Sequence, residues 1–208
     1  MKIDFKWHRC VDGYQVADVP GEGKCIGPKS DNMETYNPFE RVWNDEKEYY
    51  PALLNQLSSV KTEADMIKFA NKFGLLFHPK ELEPLESWAS FSETMRNMLK
   101  EWDQGKLGSL GRYFNDLKFG KVDVRLDTSE RPPKWSATLN DLHHAIWWQF
   151  VQMAISGQDQ EECAWCHTWF AVGPDTGRRK RRSNVANSYC NDKHGKRHKY
   201  SILKGSKK

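Results

Sequence analysis

Residues 163–200 read C-A-W-C-H-T-W-F-A-V-G-P-D-T-G-R-R-K-R-R-S-N-V-A-N-S-Y-C-N-D-K-H-G-K-R-H-K-Y. Cys163 and Cys166 form a C-x-x-C pair, and Cys190 and His194 follow with three residues between them. Two close pairs divided by a spacer suit a structural zinc site, which takes four soft or borderline ligands in a closed tetrahedron. A C-x-x-C turn lets two thiolates grip one ion, and a C-x-x-x-H pair at a helix start puts its ligands on adjacent turns of one face. Three of the five cysteines lie in this polar segment, which has too little apolar content to fold on burial alone. The expected ligands are Cys163, Cys166, Cys190 and His194, and the expected ion is Zn2+. His167 and His198 compete for the fourth place. His167 directly follows Cys166, so its side chain should point elsewhere. His198 lies four residues after His194 and would replace it, as in fingers with two Cys and two His ligands.

The segment resembles the CGNR-type zinc finger. In that family C-x-x-C is followed by an aromatic residue, a basic spacer and a last Cys leading into Gly-Asn-Arg and a basic helix. Phe170 stands at the aromatic position, Tyr189-Cys190-Asn191 stands where Tyr-Cys-Ser is common, and His194-Gly195-Lys196-Arg197 stands where Cys-Gly-Asn-Arg is expected. The departures are His for the last Cys and Lys for Asn. The resemblance is specific only over the last fifth of the chain. It implies a treble-clef-like finger, with a knuckle, a short hairpin through Trp169 to Val172, a loop, and a helix starting near Cys190. It also implies a helical ABATE-like N-terminal region and a role in transcription regulation.

Charge separates the same segment from the rest. Residues 178–208 hold twelve Lys or Arg against the single acid Asp192, whereas the remaining residues hold 20 basic against 27 acidic. A block this basic on one small module is the footprint of a polyanion ligand. The expected contacts are Arg179, Arg181 and Arg182 on the loop and Lys193, Lys196, Arg197 and Lys199 on the helix. Nucleic acid is the expected partner, DNA ahead of RNA. The alternative is a zinc-stabilised adaptor that binds an acidic protein surface or RNA. The acidic remainder is a candidate to fold back and mask the finger.

The 208 residues suit one medium domain and a small appended one, divided as 1–157 and 158–208. With 29% charged and 38% hydrophobic residues, the composition is that of a soluble folded protein rather than a disordered one. No apolar run approaches the length of a membrane span, and Met1-Lys2-Ile3-Asp4 opens no signal peptide, so no membrane partner and a cytoplasmic location are expected. In that reducing setting Cys10 and Cys25 read as free thiols, with a bridge between them as the alternative.

The expected fold class is α+β, mainly α, with a helical N-terminal domain, small β elements and the finger. Alternation at Ile3, Phe5, Trp7 and at Tyr14, Val16, Val19 around Asp12-Gly13 predicts a hairpin, and the Gly- and Pro-rich residues 20–40 predict a loop. Helices are predicted from Glu46 to Leu57, regular from Pro51, and from a Thr62-x-x-Asp65 capping box to Gly74. A third is predicted from Pro84 to before Gly105 with Leu85, Trp88, Met95, Met98, Leu99 and Trp102 inward. Residues 106–116 stay ambiguous, and 121–127 read as a strand. Ser136 or Thr138 is expected to cap a last helix running to about Ser156, with Leu139, Leu142, Ile146, Phe150, Met153 and Ala154 buried. The N-terminal domain reads as a sensor or a protein-docking unit.

His143 and His144 beside Asp141 diverge by about 100 degrees on a helix and suit satisfied or exposed histidines better than a shared ion. No G-x-S-x-G or H-E-x-x-H occurs, and a non-enzyme is expected. The enzymatic alternative is a nuclease-like catalytic ion on His167 or His198.

Overall fold

The computed structural model describes residues 2–3, 5–38, 53–106, 123–127, 134–157, 159–173 and 187–205. Within them the strands are β1 (Lys2–Ile3), β2 (Trp7–Cys10), β3 (Tyr14–Val19), β4 (Gly23–Pro28), β5 (Met33–Tyr36), β6 (Glu83–Pro84), β7 (Asp123–Asp127), β8 (Lys134–Thr138), β9 (Asp159–Glu162) and β10 (Trp169–Val172). The helices are α1 (Leu53–Ser58), α2 (Glu63–Phe73), α3 (Leu85–Asp103), α4 (Leu142–Ser156) and α5 (Asp192–Gly205). Strands fall into four small sheets, ordered β1-β8-β7, β2-β5, β3-β4-β6 and β9-β10. The fold is therefore mixed α and β, not mainly α.

The difference begins in residues 7–36. β2 and β3 do not pair with each other across Asp12-Gly13. β2 pairs antiparallel with β5, and β3 with β4. Residues 20–40, expected as a loop, supply two of these strands. Gly21 and Gly23 hold φ of 85° and 77°, and Glu22 N donates to Val19 O at 3.1 Å. Those glycines close a tight hairpin in a backbone region that side-chain-bearing residues avoid. Arg9 stands opposite Glu34 across β2 and β5, binds its carboxylate, and lies over the Tyr36 ring.

The helices follow their local signals more closely. Thr62 accepts from Asp65 N while Asp65 accepts from Thr62 N, the reciprocal capping box expected at the start of α2. Met66, Phe69, Ala70 and Phe73 are its buried face. Gly74 ends it at φ 84°, where an added Cβ would meet His8 O at 2.5 Å. In α3 the buried stripe is Trp88, Phe91, Ser92, Met95, Met98 and Leu99. The last helix of the body is capped by Asp141, not by Ser136 or Thr138. Both of those lie in β8, which pairs parallel with β1 and antiparallel with β7. The pairing captures a segment that alternates at period two, and the cap passes to the next carboxylate. Residues 46–52 of the expected first helix and 107–116 of the ambiguous stretch lie outside the described residues.

One apolar core joins these elements. Phe5 comes from the segment before β2, Trp7, Tyr14 and Ile26 from the N-terminal sheets, and Leu53, Leu57, Phe73, Trp88, Met95, Ile146 and Phe150 from the helices. Cys10 and Cys25 are buried and free. Glu83 is also buried, at 2% exposure. Its carboxylate accepts from Leu76 N at 3.0 Å, Phe77 N at 2.7 Å, His78 N at 2.8 Å and Trp88 Nε1 at 2.7 Å. Burial pushes its pKa up, against those four donors. Among the described residues no helix is long and apolar enough to cross a membrane.

Candidate metal centre

The hairpin β9–β10 pairs Glu162 with Trp169 and Asp159 with Val172, and the C-x-x-C pair forms its tip. Cys163 N donates to Thr168 O at 3.1 Å and His167 N to Cys163 O at 2.9 Å, closing the knuckle. His167 takes φ 57°, the one non-glycine in the left-handed region among the described residues. The second ligand pair is brought up by backbone. Cys163 bridges to Ser188 in parallel register, and Ala164 N donates to Ser188 O at 2.9 Å. Asn191 Oδ1 accepts from His194 N at 2.9 Å and so opens α5 one residue after Cys190. His194 then lies one turn beyond Cys190, on the same face.

This folding brings the Sγ atoms of Cys163, Cys166 and Cys190 and a ring nitrogen of His194 within 4.8 Å of one another. Cys166 Sγ and Cys190 Sγ are 3.7 Å apart, as are Cys163 Sγ and His194 Nδ1. A tetrahedron with metal–sulfur arms near 2.3 Å and metal–nitrogen arms near 2.0 Å has S···S edges of about 3.8 Å and S···N edges of about 3.5 Å. Those two separations match it. Cys190 Sγ and His194 Nδ1 are closer, at 3.0 Å, a thiol–imidazole hydrogen bond. Three sulfurs and one imidazole at this spacing can hold a metal ion.

Charge is shared unequally among the thiols. The hydrogen bond with Cys190 lowers the Cys166 thiol to about 4, and the same contact pushes Cys190 up. A cation held by these groups would require the thiols to give up their protons.

The two competing histidines are engaged elsewhere. His167 Nδ1 pairs with Glu162 Oε1 at 2.9 Å in an exposed position. His198 Nδ1 meets Tyr189 OH at 2.9 Å, with the Trp165 ring 6.2 Å away. Lys193, Lys196, Arg197 and Lys199 are exposed along α5. Arg179, Arg181 and Arg182 lie outside the described residues. The sequence reading missed the groups that set the cluster: Ser188, whose carbonyl ties the second pair to the knuckle, and Asn191, whose capping role was legible in an Asn before a polar helix.

The hairpin also has a second face. Trp169 is 3% exposed and belongs to the main core, whereas Phe170 and Val172 pack with Cys163 in a small cluster of their own. Asn55 Nδ2 donates to Gln160 Oε1 at 3.2 Å between α1 and β9. Ser188 Oγ donates to the Glu161 carboxylate.

A second trio, Asp141, His143 and His144, also lies within 4.8 Å. Asp141 Oδ1 accepts from His144 N at 2.7 Å and contacts His144 Nδ1 at 2.6 Å, so it is committed to capping α4. His143 Nε2 instead accepts from Trp147 Nε1 at 3.1 Å. A cation there would face the positive end of the helix dipole. Burial lowers the His143 imidazole to about 4. An unfolded histidine titrates near 6.5, so the unfolded chain takes up this proton first as pH falls. Stability from the neutral ring is therefore full above about pH 6.5 and is lost as pH falls toward 4, by about 2–3 kcal/mol. Urea unfolding at neutral and acid pH should show a smaller acid loss in His143→Leu than in the parent chain.

No protein-family model matches this chain, and neither the curated proteins nor the solved structures contain a match. Nothing in them identifies a CGNR or ABATE-like family.

Proposed function

We propose that this chain is a zinc-stabilised DNA-binding protein with a non-catalytic, regulatory role. The observation that carries the reading is the placement of α5. It starts beside Cys190, includes the ligand His194, and turns Lys193, Lys196, Arg197 and Lys199 to solvent. Zinc follows from the donor set, since three thiolates and an imidazole in a tetrahedron suit it better than a hard cation. The cations would neutralise phosphates and release counterions, which sets affinity rather than sequence choice. The regulatory role extends the resemblance to CGNR-type fingers, and the N-terminal body is proposed to dock a protein partner.

The test is a salt titration of DNA binding by the metal-loaded chain. Affinity should fall steeply with salt, and Lys196→Ala with Arg197→Ala should reduce the log–log slope by about 2. Salt-independent binding would refute the proposal.

A further inference from the structure

The outward face of α5 carries an aromatic ring among its cations. Tyr200 is 68% exposed. Lys193, Lys196 and Arg197 stand seven, four and three residues before it, which places them on its side of the helix. Trp165, 36% exposed, is a second ring at the knuckle beside His198. Residues 193–205 contain no acid, no Asn and no Gln.

That composition favours one form of DNA. A helix that reads a duplex uses Asn or Gln for adenine and Arg or Lys for guanine in the major groove, and this face has Lys193, Lys196 and Arg197 but no Asn or Gln. A duplex also hides the faces of its bases, so an exposed tyrosine gains little from it. An unpaired strand offers base faces for stacking, with phosphates alongside for the flanking cations.

We infer that α5 binds single-stranded DNA, with a base stacked on Tyr200 and the neighbouring phosphates held by Lys193, Lys196 and Arg197. This rests on the reading of the finger as a DNA-binding module and specifies the strand state it takes.

The experiment is fluorescence anisotropy with the metal-loaded full chain and a labelled oligothymidine of about 16 nucleotides, a duplex of equal length, and an RNA strand of equal length. The single DNA strand should bind more tightly than the duplex. Tyr200→Ala should weaken it by roughly tenfold, and Tyr200→Phe should retain it. Neither change should move duplex binding. Because Tyr200 is exposed, both variants should keep the parent's metal content. A duplex bound as tightly as the single strand, or a Tyr200→Ala variant that binds like the parent, overturns this inference and leaves the DNA-binding reading standing. Tighter binding of the RNA strand overturns the assignment to DNA. No binding of any probe overturns both.

Discussion

Removing the metal with a chelator, or replacing Cys163 by Ser, is expected to melt α5 and the knuckle while the body built on α1–α4 stays folded. Among the described residues, Phe170 and Val172 are the buried apolar residues that cluster with Cys163. A 14-residue helix with an exposed polar surface is marginal in water by itself. Zinc sites of this kind supply an apparent folding energy of roughly 10–16 kcal/mol, far more than so small a cluster offers. Cys163 is fully buried, so a serine there places a hydroxyl where a thiolate is needed. Damage should stop at the hairpin, because Trp169 is anchored in the main core and Gln160 bonds to Asn55. Hydrogen exchange should show amides of 191–205 losing protection while those of α3 and α4 keep it. Retained protection in α5 after stoichiometric metal removal would contradict the metal's structural role.

Glu83→Ala should destabilise the body by about 4 kcal/mol or more, because it strips the acceptor from three backbone N–H groups and the Trp88 indole at once. Each orphaned buried donor costs about 1–3 kcal/mol, and water admitted to the gap recovers part of it. Set against a typical total of about 5–15 kcal/mol, this brings the domain near its threshold. Glu83→Gln should fall between, since its amide oxygen keeps part of the acceptor role while its NH2 faces other donors. Chemical denaturation midpoints of the two variants check the order. Equal midpoints for Glu83→Ala and the parent would show that the loop from Leu76 to His78 does not depend on this carboxylate.

The metal cluster and the helices were readable for one physical reason. Their signals are local. Two ligands three or four residues apart need only a turn or one helical turn to converge, so Cys163 with Cys166 and Cys190 with His194 were legible from spacing. The choice of His194 over His198 became visible in space, where Tyr189 holds His198. The Thr62–Asp65 cap and the apolar stripes of α3 and α4 are likewise set by backbone geometry within a few residues.

The strand partners were not local. Alternation at Trp7 and at Tyr14 marks strands but carries no record of which edge each will meet. β2 finds β5, and β1 finds β8 more than a hundred residues away. Those pairings turned an expected mainly helical domain into a mixed one and moved the α4 cap from Ser136 or Thr138 to Asp141. By itself the sequence determined the candidate cluster of Cys163, Cys166, Cys190 and His194, the charge split and the helical periods, since each depends on neighbours along the chain. Tertiary structure alone decided the sheet pairings, the four donors around Glu83 and the burial of Trp169 in the main core. Each of those depends on which distant surfaces exclude water together.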